Sequence, residues 1–510
     1  MSRVALSGAV AVIGLLVLGL ILGFLELEPR EAVLTVAALG TYGVAFATRR
    51  PLPVLLFAWV LALTYGKAFF VYPSADSPDF HGIYWIYSDV FLSGVLLIWF
   101  RRGPSSKPSG WMPGRAVWPW LLPLVLAAAL STLAAIRSDW ALFDLLRIFK
   151  LVLVVACLRA NLGVSEWWAC VNGLVVGTAG QGVLSIMQVA LKNTSGGLLG
   201  MLGIGDAAQA AQAQVQTQAM QGAMGGWFRA YGTIGHPANL AAYFLFTVPV
   251  LLGLTFTVRR PGQRLLSACA LIIGLAGLAC TQSRGPWMFG AVQIAILLIA
   301  LVFYKLTSAR AVIAISGIAL LLAAGVGYRF EDFIVERFNR DYDDSVKLRE
   351  GDNLTALRIF ADSPLVGVGP NNYSAKILDY DPSWSWAFQG VADFQRQFKT
   401  RLFVAPHDLY AFLLAEMGIL GLLGFLILIA GCVWLGYCGA RDSNGPEKAV
   451  CIGLILGIFG QLAQSAINFS LWVDPLFYTL ALCAALLARA PLAGTQPVAI
   501  PAQERSYAAV

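Results

Sequence analysis

Long apolar runs recur along almost the whole chain, separated mostly by short polar connections. A helix that crosses the hydrocarbon core of a membrane needs roughly 20 mainly apolar residues, and the runs have about this length. They predict an all-α polytopic membrane protein with about fourteen transmembrane helices. We interpret the first run as a retained span, because it lacks a small-x-small cleavage site and a second span follows directly. The predicted spans are residues 4–25, 31–48, 51–70, 84–100, 115–136, 140–158, 166–190, 234–257, 264–282, 286–304, 310–327, 408–437, 449–468 and 473–489.

Two connections are long enough to form structure outside the membrane. The first contains "DAAQAAQAQVQTQAMQGAMGG", which has few bulky apolar residues and cannot build a core. The second carries mixed charges, aromatic residues and turn signals such as "DSPLVGVGPNNY", which favour a lid or a site. The expected division is N-terminal transmembrane helices (1–190), an Ala/Gln-rich loop (191–233), transmembrane helices (234–327), a large loop (328–407), C-terminal transmembrane helices (408–489) and a disordered tail (490–510).

The distribution of charge predicts the orientation of the chain. Every second connection is rich in Lys and Arg, and the short connections between them hold few. The positive-inside rule therefore predicts that both termini are cytoplasmic and that both long loops face outward. Only 12% of the residues are charged, against about 25% in soluble domains. The net charge of +7 follows from topology, so we expect no nucleic-acid partner.

Ionisable residues inside the sixth span are candidates for function, because a charge at the bilayer centre costs at least about 2.5 to 3.5 kcal/mol. Asp144, Arg147 and Lys150 are spaced by three residues, which places them along one side of a helix. One reading is an internal pair between Asp144 and Arg147, with Lys150 reaching an interface. The other is a functional cationic site, because one acid cannot neutralise two bases.

Polar residues also collect where two spans meet the outer side. In "CTQSRGPWMFGAV", Gly285 is expected to break the chain, so that Arg284 stands beside a helix N-terminus suited to an anion. The alternative is an arginine that only anchors a span. In "GGWFRAYGTIGHPANLAAYFLF", Arg229, His236 and Asn239 precede or open a span. His236 and Asn239 either bind a polar ligand there or simply form a capped helix start.

A third outer junction is "RLFVAPHDLYAFLLAEMG", where a histidine stands at the mouth of a long apolar run. Pro406 is expected to set the first helical turn and Asp408 to complement the helix dipole, with His407 between them. The dipole disfavours a charged imidazole and Asp408 favours it, so the sign of any pKa shift stays open. His407 is either a proton acceptor for a hydroxyl or an interfacial histidine without a chemical role.

The remaining patterns predict neither a metal nor another cofactor. Two D-Y-D triplets, at residues 341–343 and 379–381, could hold a divalent metal, but acidic turns are commoner in a solvated loop. The "GVGPNN" run has neither the preceding strand nor the helix-opening third glycine of a nucleotide fingerprint, and it predicts a tight turn. The eight cysteines lie in or beside apolar runs without C-x-x-C spacing, which is typical of buried thiols rather than disulfides or metal ligands.

Three motifs in order, "TQSRGPW", "RIFADSPLVGVGPNNY" and "PHDLYAFLLAEMGILGLLGF", resemble the O-antigen ligase and O-antigen polymerase superfamily. The resemblance covers roughly residues 225 to 470. It implies a metal-independent glycosyltransferase of the bacterial inner membrane, which moves a glycan from undecaprenyl pyrophosphate onto a hydroxyl acceptor at the periplasmic face. The acceptor is the lipid A core for a ligase, a second lipid-linked repeat unit for a polymerase, and a protein side chain in related enzymes.

The resemblance also implies roles for particular residues. By motif match, the family's arginine falls on Arg284, its loop histidine on His407, and its Pro-Leu-x-Gly-x-Gly turn on residues 364–369. A loop arginine that stands upstream of this turn corresponds to Arg349, and Arg358 competes for that role because the expected tryptophan position holds Asn353. His407 is followed by Asp408 where asparagine or serine is more usual.

These residues suit the chemistry that the resemblance implies. Pyrophosphate is a charged leaving group, and Arg147, Lys150, Arg229 and Arg284 could supply the positive charge. His407 would orient or deprotonate the acceptor hydroxyl while the lipid tail lies between spans, and one direct displacement would invert the anomeric carbon. The alternatives are a lipid-linked oligosaccharide flippase or other transporter, disfavoured because the two halves do not repeat each other, and a non-catalytic envelope assembly protein.

Overall fold

The computed structural model describes residues 29–48, 50–66, 68–73, 82–102, 115–191, 228–314, 342–380 and 406–490, with isolated positions between 316 and 335. The predicted span 4–25, most of the span 310–327, residues 192–227 of the Ala/Gln-rich loop and the tail from 491 lie outside the described residues.

Each predicted span within the described part contains an α-helix, because the apolar runs are long enough for several helical turns. Six of these helices are long and apolar enough to cross a membrane, namely Val164–Ala190, Pro237–Thr257, Pro261–Cys280, Arg284–Phe303, Leu409–Asp442 and Gly445–Ser465. The helices are α1 (Pro29–Ala47), α2 (Pro51–Ala62), α3 (Tyr87–Arg102), α4 (Trp118–Leu133), α5 (Ser138–Asn161), α6 (Val164–Ala190), α7 (Pro237–Thr257), α8 (Pro261–Cys280), α9 (Arg284–Phe303), α10 (Tyr342–Asp362), α11 (Tyr373–Tyr380), α12 (Leu409–Asp442), α13 (Gly445–Ser465) and α14 (Asp474–Ala488).

The described residues agree with an all-α membrane protein, and a short β-hairpin replaces the end of one predicted span and the start of the next. The predicted span 51–70 ends as a helix at Ala62, and strand β1 (Ala68–Pro73) then pairs antiparallel with β2 (Gly82–Ile86). Both strands are rich in aromatic and β-branched residues, which favour a sheet. Phe69 lies opposite Trp85, and their rings stack with centroids 4.5 Å apart. The start of the predicted span 84–100 therefore belongs to a strand.

Helix α7 lies at the centre of the bundle and packs against α8, α9 and α13. Small residues allow the closest of these contacts. A Cβ on Gly453 would lie 2.8 Å from the Cα of Val250, and one on Gly457 would lie 2.9 Å from the carbonyl oxygen of Phe246. Small residues spaced by four let the backbones of membrane helices approach, which is the packing seen between α7 and α13.

Helix α12 is interrupted where the large loop returns to the bundle. Gly418 has a φ of +64° inside the helix, which leaves backbone groups on both sides of it outside the regular helical ladder. The predicted tight turn occupies this break. Its backbone bonds run from Val368 N to Ala415 O (3.0 Å), Gly369 N to Glu416 O (2.9 Å), Ile419 N to Pro364 O (2.9 Å) and Leu420 N to Leu365 O (3.3 Å).

Two glycines make this close approach possible. A Cβ on Gly418 would lie 2.3 Å from the carbonyl carbon of Leu365, and one on Gly367, which has a φ of +68°, would lie 2.3 Å from that of Glu416. The first glycine of the Pro-Leu-x-Gly-x-Gly pattern thus has a structural reason, because a side chain at Gly367 would not fit between the turn and the broken helix.

Candidate functional site

The segment before α7 is fixed by two buried glutamines of α6. The Gln188 Oε1 accepts hydrogen bonds from the backbone N–H groups of Tyr231 (3.1 Å) and Gly232 (2.9 Å). The Gln181 Oε1 accepts from Thr233 N (3.1 Å), and its Nε2 donates to Thr233 Oγ1 (2.6 Å). Sequence reasoning missed both glutamines, although polar residues inside an apolar span were the signal for them. They hold the loop that carries two predicted site residues.

Arg229 is brought to the start of α9. Its Nε donates to the carbonyl oxygen of Thr281 (3.1 Å), and its Nη2 donates to the hydroxyl of Ser283 (3.1 Å). Ser283 directly precedes Arg284, the first residue of α9. Two arginines predicted separately for one anion are therefore neighbours at one helix N-terminus.

Gly285 does not break the chain as expected, because it lies in the first turn of α9. Its role is a close contact with the end of α13. A Cβ at this position would lie 2.4 Å from Ile467 Cδ1 and 3.0 Å from Gln464 Oε1. The glycine lets the start of α9 pack directly against α13.

His236 is the N-cap residue of α7, and Pro237 takes the first helical position as predicted. The Nδ1 of His236 accepts a hydrogen bond from Ala238 N (3.2 Å), which requires an unprotonated Nδ1. Burial, together with the positive charge of Arg229 and of His407, lowers the pKa of His236 to about 4. The imidazole is therefore neutral near pH 7. Asn239 lies half-buried in the following turn.

Asp408 is the N-cap of α12, and its carboxylate accepts hydrogen bonds from Tyr410 N (2.7 Å) and Ala411 N (3.3 Å). Burial raises the pKa of Asp408, although the two backbone N–H groups oppose the shift. Pro406 precedes the cap and does not set the first turn, which is a correction to the prediction. The hydroxyl of Tyr410 donates to Leu462 O (2.8 Å), so His407 and Asp408 lie over the end of α13.

Arg147 lies in a buried ionic cluster. Its Nε lies 2.8 Å from Asp144 Oδ1, its Nη1 lies 3.3 Å from Asp474 Oδ1, and the same Nη1 donates to Trp472 O (2.7 Å). The Tyr84 hydroxyl of the hairpin donates to the other oxygen of Asp474 (2.5 Å). The positive charge of Arg147 is therefore already compensated within the protein.

Lys150 is compensated in the same way, since its Nζ lies 2.5 Å from Asp89 Oδ2 and 4.7 Å from the centre of the Tyr478 ring. The argument that one acid cannot neutralise two bases is therefore corrected, because α3 and α14 supply Asp89 and Asp474. Both acids stand in or at the end of an apolar run, and that signal could have drawn attention to them.

Glu416 is a further buried acid that the sequence reasoning missed. Its side chain is 1% exposed, and its two oxygens accept hydrogen bonds from Asn371 N (2.6 Å) and Tyr373 N (3.0 Å) at the start of α11. An acid at the eighth position of the apolar stretch "LYAFLLAEMG" was the available signal. Glu416 ties the large loop to the transmembrane bundle.

The two competing loop arginines, Arg349 and Arg358, both belong to α10. The Arg358 side chain is exposed. Of the D-Y-D triplets, residues 341 and 381 lie outside the described residues, and Asp379 pairs with Lys376 (2.5 Å).

A family model described as O-antigen ligase matches residues 269–426. The match spans less than a third of the chain and runs from α8 into α12, so it includes Arg284, the turn at 364–369 and His407. No curated protein matches the chain. The family match confirms the resemblance to the O-antigen ligase and polymerase superfamily, and the long apolar helices agree with a multi-pass membrane protein.

Proposed function

Starting from a membrane protein with an O-antigen ligase region, we propose a metal-independent, inverting glycosyltransferase of the bacterial inner membrane. It transfers a glycan from undecaprenyl pyrophosphate to a hydroxyl acceptor at the periplasmic face. The acceptor is the lipid A core or a second lipid-linked repeat unit. The observation that carries this proposal is the pair formed by Arg229 and Arg284 at the start of a long helix inside the matched region.

The pyrophosphate is assigned to this pair. The N-terminus of α9 offers the positive end of the helix dipole and backbone N–H groups, and the two guanidinium groups add charge that can follow the leaving group. Arg147 and Lys150 were expected to share this role, but their carboxylate partners leave them a supporting one in our proposal. They hold α3, α5, α14 and the hairpin together beside the site.

His407 is proposed to take the proton of the acceptor hydroxyl. As that oxygen forms a bond to the anomeric carbon, the bond from this carbon to the phosphate oxygen breaks and its electron pair leaves with the pyrophosphate. The neutral His236 and Asn239 line the donor side, while Asp408 fixes the turn that presents His407. One displacement inverts the carbon. A loop arginine, Arg349 or Arg358, is left to contact the glycan.

Removal of either central residue tests the mechanism. We expect His407→Ala to lower glycan transfer by about 10²-fold or more, as is typical for loss of a general base. Arg284→Ala should cost about the same through loss of transition-state charge stabilisation. Transfer is measured with purified protein in nanodiscs, and Arg264→Ala is the control, because Arg264 lies at the other end of the bundle and donates to Thr255 O. Wild-type transfer by either variant would remove that residue from the mechanism.

A second experiment separates the two acceptor classes and the transporter. The protein is incubated with lipid-linked repeat units alone and then with lipid A core added. Chain growth in the first tube identifies a polymerase, and transfer only in the second identifies a ligase. The family match favours an enzyme over a flippase. Movement of lipid-linked glycan across liposomes without turnover would overturn this choice.

A further inference from the structure

Gln464 is a buried polar residue next to the proposed pyrophosphate site. Its side chain is 2% exposed in the last turn of α13, and its Oε1 has no hydrogen-bond partner among the described residues. A buried amide normally has hydrogen-bond partners, so one that lacks them in the protein calls for an explanation, and a bound molecule is one.

Other buried glutamines of the bundle also have an Oε1 without a partner among the described residues, but they differ from Gln464 at the amide nitrogen. Gln461, one turn deeper in α13, donates through its Nε2 to Ala242 O, and Gln293 of α9 donates to Leu456 O (2.6 Å) and Leu245 O (3.2 Å). Those amides cross-link helices. Gln464 makes no such bond among the described residues, so its place in the apolar bundle has no structural explanation of that kind.

The surroundings of Gln464 identify what it faces. The Gln464 Oε1 faces the first turn of α9, since a Cβ on Gly285, next to Arg284, would lie 3.0 Å from it. The hydrogen bond from Tyr410 to Leu462 brings the start of α12, with His407, over the same end of α13. The amide therefore lies beside the residues proposed to hold the pyrophosphate, at the end of α13 that also receives the start of α12.

We propose that Gln464 binds the sugar that is attached directly to the pyrophosphate, by accepting a hydrogen bond from a ring hydroxyl or acetamido group. This inference rests on the proposed function. A neutral carbonyl oxygen repels phosphate oxygens, so the anion goes to Arg284 and the N–H groups of α9. The substituent on the carbon next to the anomeric carbon lies only a few bonds from phosphorus, so a residue beside the pyrophosphate site can reach it. Gln464 thus gives the site a means to distinguish a loaded lipid carrier from a spent one.

The test compares binding of two lipids to the purified full-length protein in nanodiscs. One is undecaprenyl pyrophosphate, and the other is the same lipid carrying a single N-acetylglucosamine. We expect the wild type to bind the sugar-bearing lipid more tightly than the bare lipid. Gln464→Leu should lower the affinity for the sugar-bearing lipid by between about twofold and tenfold, the range for one neutral hydrogen bond. Binding of the bare lipid should stay unchanged. Gln461→Leu serves as the control and should retain the preference.

A second variant covers the case that Gln464→Leu fails to fold. Gly285→Ala places a methyl group 3.0 Å from the Gln464 Oε1, and it should reduce the same preference by displacing the amide. Equal affinity of the wild type for both lipids would overturn the inference. An equal loss of affinity for both lipids in the variants would also overturn it, and would indicate that the amide holds only a water. Failure of the proposed function is recognised separately, because Arg284→Ala would then leave binding of the bare lipid unchanged.

Discussion

Ser283 illustrates how one side chain determines the use of a helix end. A serine at an N-cap usually accepts a hydrogen bond from the first helical turn. Here its hydroxyl accepts from Arg229 and makes no capping bond to α9. The serine hydroxyl therefore does not occupy the backbone N–H groups at the N-terminus of α9, which stay available to another acceptor. The same hydroxyl fixes a second arginine beside them. Both effects favour an anion at this place.

The depressed pKa of His236 predicts how stability depends on pH. The unfolded chain takes up a proton near pH 6.5, whereas the folded protein does so only near pH 4. Stability that depends on a neutral His236 is thus complete above about pH 6.5 and is lost as the pH falls towards 4. We expect His236→Asn, which keeps a capping side chain, to show a smaller fall in melting temperature between pH 7.5 and 5 than the wild type. Equal falls would contradict this origin.

The spacing of three residues predicted the pair of Arg147 with Asp144, but the partners on other helices could not be read from the sequence. Each lysine or arginine was visible as a charge in a span, but Asp89 lies 61 residues from Lys150 and Asp474 lies 327 residues from Arg147. Only the packing of α5 against α14 and α3 brings them together. The composition of one helix cannot show whether its charges are compensated by another.

At the scale of elements, the break in α12 and the turn at 364–369 form one unit. The sequence predicted the turn from its glycines, but it gave no sign that the turn completes an interrupted helix. Glu416 adds a side-chain connection, because its carboxylate caps the start of α11. The large loop is therefore attached to the bundle at the helix that begins beside His407.

Replacing one oxygen of Glu416 with an amide nitrogen should detach this connection. In Glu416→Gln only one side-chain oxygen can accept, and the amide nitrogen faces a backbone N–H. We expect the amide hydrogens of Asn371 and Tyr373 to exchange with solvent about tenfold faster or more, since a buried donor that loses its acceptor costs about 1 to 3 kcal/mol. Hydrogen exchange followed by mass spectrometry measures this. Glu447→Gln in α13 is the matched control, and equal protection in both variants would contradict the role of Glu416.

The whole bundle shows what the hydropathy pattern determines. The membrane fixes the length and polarity of a span, so apolar runs predict where the helices lie. Which helices become neighbours depends on small residues, whose partners lie far away in the chain. The hairpin was not predicted, because its aromatic residues are apolar and extend the hydropathy pattern of the neighbouring helices.

Glycine packing between α7 and α13 should control the stability of the bundle. A methyl group at Gly457 would lie 2.9 Å from Phe246 O, so Gly457→Ala should destabilise the protein by roughly 1 to 3 kcal/mol, as overpacking does. Gly180→Ala is the control, because nothing lies within 4 Å of its added Cβ and alanine favours a helix. Thermal melting in detergent, followed by size-exclusion chromatography, should show a lower midpoint for the first variant only.

The glycine at 418 also constrains the order in which the protein is assembled. When α12 enters the membrane alone, the carbonyl groups of Ala415 and Glu416 and the N–H groups of Ile419 and Leu420 have yet to meet the turn that pairs with them. Unpaired backbone groups are costly in lipid, so this part of α12 becomes stable only after the turn of the large loop has packed against it. The start of the helix is thus a late step of biogenesis, completed by a segment made before it.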